Sequence, residues 1–320
     1  MRDRRYRDLA LFALMTLTWS LNWPIMKLGL KYAYPLRFTA DRLALSSPIV
    51  LAYRYIRGRR NGEFRFAVDG STAALIVYSL IVSMQFALSG LGLNYQGGGL
   101  SAVLTYTQPM IVFVLAIIFL GEKLLLSRLI GTLIGFLGVA ILLAGGHTLT
   151  VSSASLLLLS GAFLWAVSTI YYKLRLRWVD PLLTNFVQTS ISSIVLYAVS
   201  LSIEPPPVIN IEYISILVYS GPIAVGVGAT IWLILLRRID ASVLSSSSLI
   251  VPLIAIISSH LMLGEEINLR TIIGSILILG GVYLVNYNYG RSESRSKPLR
   301  GIFKEWMLNR RMRCNGNQIS

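Results

Sequence analysis

Charge is scarce in this sequence. Of its 320 residues only 13% are Asp, Glu, Lys or Arg, against roughly 25% in ordinary soluble domains, and that shortage argues against a water-soluble globule. Cysteine occurs once, at Cys314, which excludes an intrachain disulfide and a cysteine-based metal cage. Histidine occurs only at His147 and His260. No His-Glu-x-x-His, Gly-x-Ser-x-Gly or phosphate-binding Gly-x-x-x-x-Gly-Lys run is present. An intramembrane enzyme or an ATP-driven pump would therefore lack its machinery, and neither a metal nor a cofactor is expected. Acidic residues are also few, 14 against 29 basic, for a net charge of +15.

Apolar length is what the chain has in abundance. Hydrophobic residues make up 55%, and stretches such as Leu129 to Gly146 carry no charge over the roughly 17–25 residues needed to cross a bilayer. Reading apolar runs between charges and turn residues predicts an all-α integral membrane protein of about ten transmembrane helices. They fall near 9–27, 36–53, 72–92, 99–120, 128–145, 153–172, 182–202, 213–236, 242–263 and 269–288. The arginine-rich start leads into an apolar run through Trp19 and Trp23 with no small-residue cleavage site after it, so it reads as an uncleaved first span.

The basic residues set the orientation. With the N-terminus inside, only Lys27, Lys31, Arg37 and Arg270 fall in outside segments, and Arg42 lies within the second span. Cytoplasmic retention of Lys and Arg then predicts a multi-pass cell-membrane protein with both termini in the cytoplasm. The same rule accounts for the basic tail 291–320. Its Arg310, Arg311 and Arg313 beside Trp306 are too sparsely interleaved with aromatics for nucleic acid, which is not an expected partner; membrane lipids are.

The chain repeats itself. Pro109, Leu120-Gly121-Glu122, Gly131 and Gly138 recur 143 positions later as Pro252, Leu263-Gly264-Glu265, Gly274 and Gly281. Trp19 and Lys27 recur 146 positions later as Trp165 and Lys173. Each copy would hold an odd number of spans, so the second would enter the membrane from the opposite side, as two five-helix inverted repeats. The expected organisation is 1–146 for the first repeat, 147–290 for the second and 291–320 for the tail. Loop charge agrees: the loop from Tyr53 to Phe66 carries five arginines, whereas its counterpart from Ser202 to Glu212 carries no Lys or Arg. The loops after Lys27 and Lys173 are both basic and do not follow the inversion.

Candidate binding residues cluster on repeated positions. Trp19, Asn22, Trp23 and Met26 share one helical face, and Trp165, Ser168, Thr169 and Tyr172 occupy the same positions in the sixth span. An aromatic, hydrogen-bonding stripe suits an organic solute; alternatively the aromatics form an interfacial belt and the polar groups join helices. The fourth span carries Thr105, Tyr106, Gln108 and Pro109, and the ninth Ser245 to Ser248 before Pro252. Each proline removes a backbone donor, and the resulting kink either exposes carbonyls to substrate or only shapes the bundle. Gln85, Gln188 and Trp232 are expected to face the interior. The candidate substrate site is thus Trp19, Asn22, Trp23, Gln85, Tyr106, Gln108, Trp165, Thr169, Tyr172, Trp232 and Ser248, with kinks at Pro109 and Pro252. Glu122 and Glu265 read as caps at span ends, Asp41 as the buried partner of Arg42 or as a titrating group, and Gly131, Gly135, Gly138, Gly274 and Gly281 as packing or homodimer surfaces.

Taken together, Trp19 to Lys27, Arg42, and Thr107-Gln108-Pro109 through Leu120-Gly121-Glu122 to Gly131 and Gly138, repeated in part at Trp165 to Lys173, Pro252, Leu263-Gly264-Glu265, Gly274 and Gly281, resemble the drug/metabolite transporter superfamily in its ten-span EamA-like branch. The resemblance reaches to Asn288. It implies a central cavity, cytoplasmic termini and transport of amino acids, related metabolites or toxic compounds. The expected function is a secondary transporter, an exporter of small organic metabolites by alternating access; a non-transporting scaffold and a lipid flippase are the alternatives.

Overall fold

The computed structural model describes residues 2–61, 71–122, 125–143 and 152–287. The tail 291–320, with Cys314, and also His147 lie outside the described residues. Met1–Asn286 form one compact unit, and among the described residues it is built from helices without strands. The elements are α1 (Arg2–Gly29), α2 (Pro35–Asn61), α3 (Ser71–Tyr95), α4 (Gly98–Thr105), α5 (Gln108–Leu115), α6 (Leu126–Leu143), α7 (Ser153–Tyr171), α8 (Pro181–Ile203), α9 (Ile211–Val218), α10 (Thr230–Leu236), α11 (Ala241–Ser247), α12 (Ile250–Leu263) and α13 (Leu269–Tyr287). Wider π-helical turns continue α5 at Ala116–Leu120 and α7 at Tyr172–Leu176, and join α9 to α10 at Tyr219–Ala229.

Among the described residues seven helical stretches are long and apolar enough to cross a membrane: Tyr6–Gly29, Ser71–Tyr95, Gly98–Leu120, Ser153–Leu176, Pro181–Ile203, Ile211–Leu236 and Ala241–Leu263. Helix α2 is as long, but Arg37, Asp41, Arg42 and Arg54 interrupt its apolar run. In α6 the apolar stretch is the shorter Leu126–Gly138.

Two stretches that read as single spans are each broken. Pro109 and Pro252 offer no N–H to the carbonyl one turn back. Ahead of Pro109 the chain tightens so that Thr107 N donates to Leu104 O at 3.2 Å. Ahead of Pro252, Leu249 N donates to Ser246 O at 3.2 Å and Val251 N to Ser248 O at 2.9 Å. The breaks separate α4 from α5 and α11 from α12, with each proline in the first turn of the second piece.

Both broken stretches stop at a glycine in the left-handed region, Gly121 at φ 66° and Gly264 at φ 70°. An L side chain is disfavoured there, so glycine in Leu-Gly-Glu is what ends the helix and redirects the glutamate after it. Glycine acts differently where α6 crosses α13: a Cβ on Gly138 would lie 2.5 Å from Gly274 O, and one on Gly281 2.7 Å from Gly135 N. The glycines expected to mark packing surfaces thus serve a crossing within this chain.

Helices before residue 143 pack chiefly against helices after residue 153. The largest contacts are α2 on α8, α3 on α7 and α8, and α1 on α12. Polar pairs cross the same seams, Ser47 with Ser190 at 2.6 Å and Ser83 to Ser192 at 2.9 Å. Glu204 accepts from Leu36 N at 3.1 Å and Arg37 N at 2.6 Å, capping the start of α2. In the turn before α2 the Tyr32 hydroxyl donates to Glu212, which holds the phenol above its ordinary pKa.

Candidate functional site

The expected stripe on α1 faces a cavity. Trp19, Asn22, Trp23 and Met26 all line it, as helical spacing requires of residues on one face, and the volume is about 120 Å³. Opposite walls come from α2, α3, α4, α7, α8, α10 and the π-helical turn before α10. Its apolar wall is a tryptophan triangle. Trp19 and Trp165 stand 5.6 Å apart edge to face at 72°, and Trp232 lies 5.6 Å from Trp19 and 5.7 Å from Trp165. Tyr106 adds an edge against Trp165 at 5.3 Å and 88°. Such aromatic pairs are worth about 0.5–1.5 kcal/mol each beyond their burial, which favours one fixed arrangement. The Trp19 indole N–H is held by Ala224 O at 3.0 Å.

Seven of the expected site residues line this cavity: Trp19, Asn22, Trp23, Gln85, Tyr106, Trp165 and Trp232. The remaining four lie behind its wall with partners of their own. Gln108 is fully buried and donates to Ser245 Oγ at 3.3 Å and Thr169 Oγ1 at 3.5 Å. Thr169 donates back to Trp165 O at 2.9 Å. Tyr172 OH reaches Leu233 O at 3.5 Å, and Ser248 donates to Ser245 O at 2.6 Å.

Polar groups without partners converge on the same space. Asn22 Oδ1, Ser89 Oγ, Thr105 Oγ1, Gln188 Oε1 and Arg42 Nε are buried without a hydrogen bond in the protein, and all five residues line the cavity. Buried polar atoms are normally paired; others without a partner lie away from the cavity, Gln108 Oε1, Ser200 Oγ and Ser259 Oγ among them, but these five are the ones whose residues line a space that a solute could enter.

Arg42 was not among the expected site residues, and its reading as the partner of Asp41 is overturned. Asp41 turns away from the cavity, pairing with Arg37 Nε at 3.0 Å and accepting from Tyr197 OH at 2.5 Å and Tyr213 OH at 2.6 Å. Arg42 faces inward instead, 3% exposed, between the rings of Phe38 and Phe86. The available signal was the repeat. Arg42 and Gln188 stand 146 positions apart, the offset that relates Trp19 to Trp165, and the cost of a charge inside a membrane makes a functional role the default reading.

Two glutamates expected as caps do cap, and each caps a distant helix. Neither Gly97 before α4 nor Asp240 before α11 caps its own helix with a side chain. Glu265 accepts from Gly98 N at 2.7 Å and Gly99 N at 3.1 Å, the start of α4. Glu122 accepts from Ala241 N at 2.7 Å and Ser242 N at 3.3 Å, and from the Ser242 hydroxyl, at the start of α11. Exposed N–H groups and the positive end of a helix both favour the carboxylate. Beside each cap a lysine ties a helix end: Lys27 donates to Leu93 O and Asn94 O at 2.9 Å, and Lys173 to Ile239 O at 2.7 Å.

A family model described as the EamA-like transporter family matches residues 8–144 and again 152–287. An "uncharacterized transporter YvbV" of Bacillus subtilis (strain 168) is 28% identical over 284 residues, covering 88% of this chain and 92% of its own. A "probable amino-acid metabolite efflux pump" of Escherichia coli (strain K12) is 26% identical over 294 residues, covering 87% and 94%. A solved crystal structure superposes with a TM-score of 0.69 at 17% identity over 87% of this chain and 98% of that one, a likeness of fold.

Proposed function

The chain belongs to the EamA-like transporter family and is a multi-pass membrane protein, and from that premise we propose that it is a secondary transporter exporting small organic metabolites, amino acids or related compounds, across the cell membrane. In this reading ten spans form two five-helix inverted repeats at 1–146 and 147–290, both termini are cytoplasmic, and rocking of the halves opens the central cavity to each side in turn. The observation that carries the proposal is the cavity itself: about 120 Å³ walled by tryptophans and unpaired polar groups from helices of both parts of the chain. Small-molecule sites have this character, mostly apolar with a few convergent polar groups. The double match to the family model supports the repeat, and the Escherichia coli relative's description supports the solute class and direction.

The test is flux. Purified protein in liposomes loaded with a mixture of radiolabelled amino acids is expected to release at least one faster than protein-free liposomes, and Trp19→Ala and Trp165→Ala to abolish that release. Release of no solute by the wild type would refute the transporter reading; a labelled phospholipid crossing leaflets instead would replace it with a flippase.

A further inference from the structure

Resting on that reading, we infer that the transported solute carries a carboxylate and that Arg42 is the group that binds it. The cavity holds one cation and no counter-ion: among the described residues no Asp or Glu lines it, and no ion pair involves Arg42. The guanidinium has five N–H donors. Its Nη1 reaches only Met26 Sδ at 3.1 Å and Ser220 Oγ at 3.3 Å, a weak and a neutral acceptor, and its Nε has no partner. Structural arginines buried this deeply are matched by carboxylates. The neighbouring carboxylate that would have matched it, Asp41, is committed to Arg37, Tyr197 and Tyr213.

A planar guanidinium takes a carboxylate bidentately. The faces of Phe38 and Phe86, at 6.0 and 5.3 Å from the Arg42 carbon, fix its plane. The tryptophan triangle is then left for the apolar remainder of the solute. Gln188, which stands at the repeat position of Arg42, presents a neutral free carbonyl, so the anion is bound from the Arg42 side.

The experiment is binding to purified wild-type protein in nanodiscs, measured calorimetrically with four compounds of similar size: L-phenylalanine, 3-phenylpropionate, L-phenylalaninamide and 2-phenylethylamine. The two carboxylates are expected to bind, and the amide and the amine at least about ten-fold more weakly. Arg42→Gln should raise the Kd of the carboxylates by about ten-fold or more, with Arg42→Lys falling between. An amide or amine that binds as tightly as the acids overturns the carboxylate assignment while leaving the transporter reading standing, and so does an Arg42→Gln protein that keeps its acid affinity. If neither carboxylate binds, the assignment fails, and the transporter reading is decided separately by flux. The wild-type comparison needs no substitution, so it holds even if Arg42→Gln does not fold.

Discussion

Replacing Glu265 with alanine tests how a motif on one helix holds another. The carboxylate accepts from two backbone N–H groups at the start of α4, at 2.7 and 3.1 Å, and Gly97 supplies no cap to replace it. Hydrogen bonds to a charged group contribute about 1.5–3 kcal/mol each. Glu265 is only half-buried, so the lower end applies and the two bonds together contribute about 3 kcal/mol. Unfolding entropy of about 2.1 cal/mol/K per residue makes each kcal/mol worth about 1.5 °C in a chain of 320 residues, so Glu265→Ala should lower the melting midpoint by about 4–5 °C. Glu265→Gln keeps one acceptor oxygen and loses the charge, so about half that drop is expected. Glu122→Ala should cost at least as much as Glu265→Ala, because Glu122 binds Ala241 N and Ser242 N in the same way and also accepts from the Ser242 hydroxyl. Intrinsic tryptophan fluorescence of detergent-purified protein during heating reads all three. A drop below about 1 °C for both alanine variants would refute the reasoning, since it would mean that solvent replaces the caps at no cost.

Two contrasts between glycines follow from their different roles. Gly264→Ala places a Cβ in the left-handed region with no atom within 4 Å, so its cost is backbone strain alone, about 1–2 kcal/mol, and Gly264→Asn should recover most of the loss in the same melting assay. Gly138→Ala meets Gly274 O at 2.5 Å, so its cost of about 1–3 kcal/mol is steric, Gly138→Ser should recover nothing, and the α6–α13 seam should exchange amide hydrogens faster.

The sequence made the α1 face legible because helical periodicity fixes which residues point together, and Trp19, Asn22, Trp23 and Met26 do line one cavity. The matching face on α7 was only half legible. Trp165 and Ser168 line the cavity, but Thr169 does not, and Tyr172 begins a π-helical turn, where the widened repeat rotates residues off the expected stripe. Leu-Gly-Glu could be placed at span ends from spacing. Its partners could not, because the Glu265 carboxylate binds 166 positions away at Gly99 N and the Glu122 carboxylate 119 positions away at Ala241 N. Arg42 was legible as a charge inside a span but not as a charge without a counter-ion, since that depends on Asp41 turning to Tyr197 and Tyr213. The break before each proline was foreseen as a kink; the tightened turns that separate α4 from α5 follow from carbonyls seeking other donors.

The caps also tie distant parts of the chain together. Glu265 binds the start of α4 and Glu122 the start of α11. Each has a lysine beside it, Lys27 interacting electrostatically with Glu265 and Lys173 with Glu122. Both clusters are formed at once in this structure, and the two carboxylates share no backbone partner, so each contributes independently. The losses from Glu265→Ala and Glu122→Ala should then add in the double variant, read as the shift of its melting midpoint. A double variant no less stable than the weaker single one would mean that the two ties act as one.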